Sequence, residues 1–118
     1  MKENYEEIRS SKSAIIFEGI KSVMKLYDWN WKTAIAAETS TLNDAQIIIL
    51  IKMGLKEVTF ALDNDVSIAN IRKNTEKLRR YTNVYAVYDR YKRLKEKMAP
   101  CDAGREVWEQ LYNERIKL

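Results

Sequence analysis

The chain has 118 residues, 46% of them hydrophobic and 32% charged, with a formal net charge of +4. That is one domain with enough apolar side chain for a packed core and a charged exterior, a composition unlike that of disordered or membrane-spanning chains. A single cysteine, Cys101, and no histidine exclude an internal disulfide, the usual zinc sites and Ser-His or Cys-His nucleophile pairs, so any catalysis falls to carboxylates, lysine or a bound metal.

The longest apolar run, residues 47–51, is too short to span a bilayer, and no charged-then-apolar leader opens the chain, so a cytoplasmic protein with no membrane partner is expected. The mildly basic balance suits a polyanionic partner without demanding one.

Residues 1–12 are polar, with Tyr5 and Ile8 offering apolar contacts, and read as a lead-in or linker, short helix included, rather than as core. The domain is expected over 13–118. Residues 13–17 form a short apolar run of the kind buried on both faces of a parallel sheet. From Ile20 the spacing turns helical, with Ile20, Val23, Met24 and Tyr27 on one face, and this helix stops near Asp28.

A second short strand is expected over 33–37. Thr41, three residues before Asp44, resembles a capping box for a helix over 45–53 that ends at Gly54. Residues 57–62 alternate as a central strand. Ser67 caps a third helix in which Ile68, Ile71, Thr75 and Leu78 share a face. A fourth strand spans 84–88. Residues 89–104, which hold Pro100, form a loop before a final helix over about 105–116, with Val107, Trp108, Leu111 and Tyr112 as its buried stripe. The alternation predicts an α/β fold: a four-stranded parallel sheet with helices on both faces, in three layers.

Two of these strands end in acids. Glu18-Gly19 follows the first and Asp63-Asn64-Asp65 the third. Each has a plain structural reading, since acids favour helix starts and Asp and Asn favour turns. Two carboxylates one residue apart in extended backbone, however, point to the same side and repel unless a cation is present. If the first and third strands are neighbours, with the second outside the first, Glu18, Asp63 and Asp65 line a topological switch point, where open α/β sheets bind ligands.

On these residues the segment 13–104 resembles the Toprim domain of DnaG-type DNA primases, particularly phage-like or Firmicute versions. That family carries Glu-Gly after its first strand and Asp-x-Asp after its third, matched by Glu18-Gly19 and Asp63-Asn64-Asp65, and a Thr/Ser-rich start to its second helix, matched by Thr39-Ser40-Thr41-Leu42. A third element, Lys-Asp-x-Pro-x-Asp, is approached by Lys97-Met98-Ala99-Pro100-Cys101-Asp102, with Met98 in place of the first acid. Asp102 is then either a metal-site acid or the cap of the last helix, and Asp89, closing the fourth strand, ranks below it.

The resemblance implies a Rossmann-like Toprim fold and Mg²⁺ or Mn²⁺ held by Glu18, Asp63, Asp65 and Asp102, with Glu18, Asp63 and Asp65 as the catalytic set. It also implies nucleotidyl transfer for RNA primer synthesis, with single-stranded DNA template and nucleoside triphosphates as partners, and a replicative helicase reached through other regions of a longer chain. The chain has no cysteine-rich zinc motif and no room for the basic subdomain that primases place ahead of Toprim, so an excised fragment, inactive alone, is expected. A stand-alone Toprim nuclease or RNA-processing factor and a non-catalytic receiver-like α/β module remain as alternatives.

Arg90, Lys92, Arg93, Lys95 and Lys97, with Tyr91 among them, form the densest basic stretch. They are placed either to hold nucleic-acid phosphates or simply to solvate a loop. Trp29 and Trp31 are expected to cover the sheet edge rather than stack on bases, and Trp108 to be core.

Overall fold

A computed structural model of the chain describes residues 2–118; Met1, the first residue of the expected lead-in, lies outside the described residues. Five strands, β1 (Ser13–Phe17), β2 (Ala34–Ala36), β3 (Glu57–Ala61), β4 (Asn83–Ala86) and β5 (Ile116–Lys117), form one sheet in the order β2-β1-β3-β4-β5. β1 pairs in parallel with β2 and β3, and β3 with β4, in the register Phe17 opposite Ala36 and Ala61. The crossovers run through α2 (Ile20–Asp28), α3 (Asp44–Lys52) and α4 (Ile68–Asn74), the last followed by a short 3-10 turn, Leu78–Arg80.

The sheet is mixed and five-stranded, not four-stranded and purely parallel. β5 pairs antiparallel with β4, Ala86 opposite Ile116. The final helix, α5 (Arg105–Asn113), stops earlier than the expected 116. Past it, Ile116 and Leu118 pack against the core with exposed Lys117 between them, a period of two that suits a strand. Glu57 and the rings of Tyr85 and Tyr112 hold Arg115 at the turn, 3.5, 4.8 and 4.0 Å away respectively.

Strands β1 and β3 are buried on both faces, and their alternating side chains feed two cores. Ala14, Ile16, Val58 and Phe60 join Ile47, Leu50, Ile71 and Leu78 in one. Ile15, Phe17 and Ala61 join Val23, Leu26 and Trp108 in the other, which gives the expected three layers. Trp108 is wholly buried, with Phe17 at 5.4 Å and Trp31 at 5.6 Å between ring centroids. Trp31 also meets Tyr112 edge-on at 4.9 Å and so helps to seat α5.

The α3 cap falls two residues later than the Thr41 expectation. Asn43 accepts the Gln46 amide at 2.8 Å while the Gln46 side chain accepts the Asn43 amide at 2.9 Å, a complete reciprocal box. Thr41 sits instead in a tight turn closed by Thr39, and buried Leu42 is fixed through its amide and carbonyl by Asn74. Gly54 takes φ +63° just past the helix, as a left-handed terminator should.

Residues 2–11 of the expected lead-in form α1 (Lys2–Ser11), which docks on the sheet. Ile8 is fully buried in the first core, and the Asn4 amide group donates to the Ala34 carbonyl at 3.0 Å. Among the described residues, no helix is long and apolar enough to cross a membrane. Ile8→Ala is expected to cost about 2–5 kcal/mol in urea unfolding, against under ~0.5 kcal/mol for a solvated segment.

Candidate functional site

Because β1 and β3 are adjacent and in register, the residues that leave their carboxyl ends meet. Glu18 Oε2 accepts the Asp63 backbone N–H at 3.0 Å. The sheet order puts this contact where the chain reverses direction of growth, from β2 on one side of β1 to β3 on the other.

A cleft of about 350 Å³ opens there, lined among others by Glu18, Gly19, Ser22, Asp63 and Asp102. Gly19 has φ −112°, ψ 152°, ordinary extended backbone that any residue adopts. A Cβ atom built on it would meet nothing within 4 Å. Its missing side chain leaves cleft volume open rather than serving the turn.

Asp63 is half-buried, and its carboxyl is pushed from 3.8 up to about 7. Burial is the main cause. A hydrogen bond to Glu18 that keeps the proton on Asp63 comes next, followed by the negative charges of Glu18, Asp65 and Asp102. These acids therefore sit close enough to feel one another without a neutralising partner at Asp63.

Asp65 does not join Glu18 in the cleft. The backbone after β3 is not extended but turns, with the Val66 N–H donating to the Asp63 carbonyl at 3.0 Å. Asp65 is exposed and lines a neighbouring cavity of about 370 Å³, whose walls include Val66, Ile71, Val87 and Leu94. Asp63 borders both spaces.

Asp102 lines the acid cleft but is already engaged. Its Oδ1 is 3.0 Å from Lys25 Nζ, and its Oδ2 accepts the Ala99 N–H at 2.9 Å. It is not the cap of α5; that position belongs to Gly104, at φ +103°. Asp89 is likewise spent on backbone, accepting the Arg93 and Leu94 amides at 2.8 Å each.

Among the described residues, no three His, Cys, Asp or Glu side chains converge tightly enough to enclose an ion. The sequence reading missed Glu38, which follows β2 and lines the same cleft, with its amide bonded to the Glu18 carbonyl at 2.7 Å. The signal was present: an acid ends the second strand as others end the first and third. Glu38 holds φ +61°, a conformation uncommon outside glycine.

The basic stretch divides. Arg93 is tied to Glu114 through two bonds of 2.7 and 3.2 Å and lies over the Tyr91 ring. That pairing holds Glu114 below the usual carboxylate range. Arg90, Lys92, Lys95 and Lys97 are exposed. Their loop is pinned to the acid turn, the Asn64 N–H donating to the Met98 carbonyl at 2.9 Å. Cys101 is buried, which pushes its thiol up and leaves it unreactive.

A raised Asp63 pKa means that the folded protein retains a proton which the unfolded chain has released. The associated stability is full below the ordinary pKa of 3.8 and is lost as pH rises through about 7. In metal-free protein, the carbon NMR titration of the Asp63 carboxyl should have its midpoint near pH 7, and Glu18→Gln should lower that midpoint. Urea unfolding should show stability falling from pH 4 to 8, with a smaller fall in Asp63→Asn.

No family model matches the chain, and no curated protein matches it in sequence. Solved structures do match. The chain is similar to the Aquifex aeolicus primase (zinc-binding and RNA polymerase domains), with TM-score 0.70 and 26% identity over 98% of this chain and 29% of that one. It is also similar in fold to the RNA polymerase domain of Mycobacterium tuberculosis primase DnaG, with TM-score 0.67 and 19% identity over 96% of this chain and 39% of that one. The same domain in complex with a double-stranded DNA oligomer with a 6-nucleotide overhang gives TM-score 0.67 and 18% identity over 98% and 38%. The chain thus spans well under half the length of these structures, and its fold is the one found within DnaG primase domains.

Proposed function

We propose that the chain is the metal-binding Toprim part of a DNA primase, serving nucleotidyl transfer for RNA primer synthesis within a longer protein. The observation that carries this reading is the meeting of Glu18 and Asp63 at the switch point, in a fold that superposes on the Aquifex aeolicus primase over 98% of its length.

The donor set fits Mg²⁺ or Mn²⁺. Mg²⁺ is bound through one or two carboxylates, keeps several waters and is completed by substrate phosphates, so it needs no protein cage. Glu18 and Asp63 supply two such groups, and the open volume beside Gly19 leaves room for the hydrated ion. Asp65 and Asp102 add negative charge near Asp63. When bound, the ion supplies charge neutralisation at the transferring phosphates and acidifies a coordinated hydroxyl.

Glu18 has two tasks of its own. It fixes the Asp63 turn through the backbone amide, and it accepts the hydrogen bond of the proton that Asp63 holds, a proton that must leave before Asp63 can serve as a ligand. Template DNA and nucleoside triphosphates would approach across the loop bearing Arg90, Lys92, Lys95 and Lys97, which is tied to the acid turn. Contacts with a replicative helicase fall to other parts of the longer protein, and the isolated chain is expected not to make primers.

Manganese titration followed by electron paramagnetic resonance tests the reading. The chain should bind Mn²⁺, and the triple variant Glu18→Gln, Asp63→Asn, Asp65→Asn should bind at least about ten-fold more weakly. Unchanged binding would reject it. Mg²⁺-dependent nicking of DNA by the isolated chain would shift the assignment to a Toprim nuclease.

A further inference from the structure

Asp102 lines the acid cleft, yet both of its oxygens are occupied, one by the Ala99 amide and the other by Lys25 of α2 at 3.0 Å. Lys25 lies 77 residues away in sequence. Its helix starts immediately beyond Glu18-Gly19, so the element that leaves the first acid also carries the cation facing the last one. The ion pair raises Lys25 above its ordinary value, as expected for an ammonium fixed beside a carboxylate.

We propose that Lys25 is a positioning residue that holds Asp102 off the ion, leaving Glu18 and Asp63 as the direct carboxylate ligands. Asp102 then enters only when the Lys25 contact breaks. The inference rests on the metal-site reading above and assigns a task to a residue outside it.

The pair's exposure sets its strength. The Lys25 and Asp102 side chains are 46% and 38% exposed, and ion pairs this open shift an equilibrium by roughly two- to five-fold. That is enough to bias Asp102 toward Lys25, and little enough for an arriving ion or phosphate to reverse the bias. The remaining bond to Ala99 holds the carboxylate at the cleft wall either way.

Mn²⁺ affinity in a double-mutant cycle separates this role from simple charge repulsion. Lys25→Met should tighten Mn²⁺ binding about two- to five-fold while Asp102 is present and leave it unchanged in an Asp102→Asn background, following the strength of the lost pair. Lys25→Arg, which keeps a cation, should bind like the parent. Circular dichroism melting of each variant checks that the fold is intact.

Equal gains in both backgrounds would mean that Lys25 merely repels the ion, and would overturn the proposal. So would no gain at all, or an Asp102→Asn variant that loses as much affinity as Asp63→Asn, since Asp102 would then be a ligand already. If Glu18→Gln binds Mn²⁺ as the parent does, the metal reading itself falls and takes this inference with it. Loss in Glu18→Gln together with equal Lys25→Met gains refutes the Lys25 role alone.

Discussion

The Glu18 carboxylate and the Asp63 amide meet because two parallel neighbours, β1 and β3, end level with each other, and much of the site geometry follows from that bond. It draws the turn after β3 back against β1 and sets Asp63 at the partition between two cavities. It also puts two carboxyl groups where burial and mutual repulsion favour keeping a proton. A cation placed there would relieve the same repulsion that the proton on Asp63 relieves.

The rest of the molecule keeps those two strand ends level. β1 and β3 lie between cores that differ in character. One is mainly aliphatic, under α3, α4 and α1. The other holds the aromatic cluster, where Trp108 braces Phe17, the residue that leads into Glu18. A buried ring pair is worth about 0.5–1.5 kcal/mol beyond its area, and here it bears on the last residue of β1. The packing of α5 is therefore connected to the cleft although α5 lends it no side chain.

How legible these features were depended on how local their causes are. Residues 13–17 and 57–62 were readable as strands because unbroken or alternating apolar runs bounded by polar residues have few other uses. The acids that follow them were readable because strand ends in such sheets are where ligands bind. Ile8 was not, since a single buried apolar position in a polar helix leaves no period to detect. Ile116 and Leu118 offered an alternation too short to compete with the helical stripe before them. The Asp63-Asn64-Asp65 geometry was misjudged because β3 stops at Ala61 and the chain then turns, which removes the same-side rule that extended backbone would impose. The Lys25 to Asp102 pair left no trace in sequence, because two exposed charges 77 residues apart become partners only once α2 and the 99–104 loop have packed.

The short strand β5 bears on how much open sheet edge the molecule presents. An open sheet has two rims of unpaired backbone, each a template on which another chain can build. Here β4 is covered by the chain's own Ile116 and Lys117, with the Leu118 amide adding a further bond to the Val84 carbonyl, so the rim passes to the two-residue β5. The opposite rim, on β2, is three residues long, and Asn4 already takes its Ala34 carbonyl. Both rims of the sheet are therefore short, two residues at β5 and three at β2, and leave little ladder for another strand to extend.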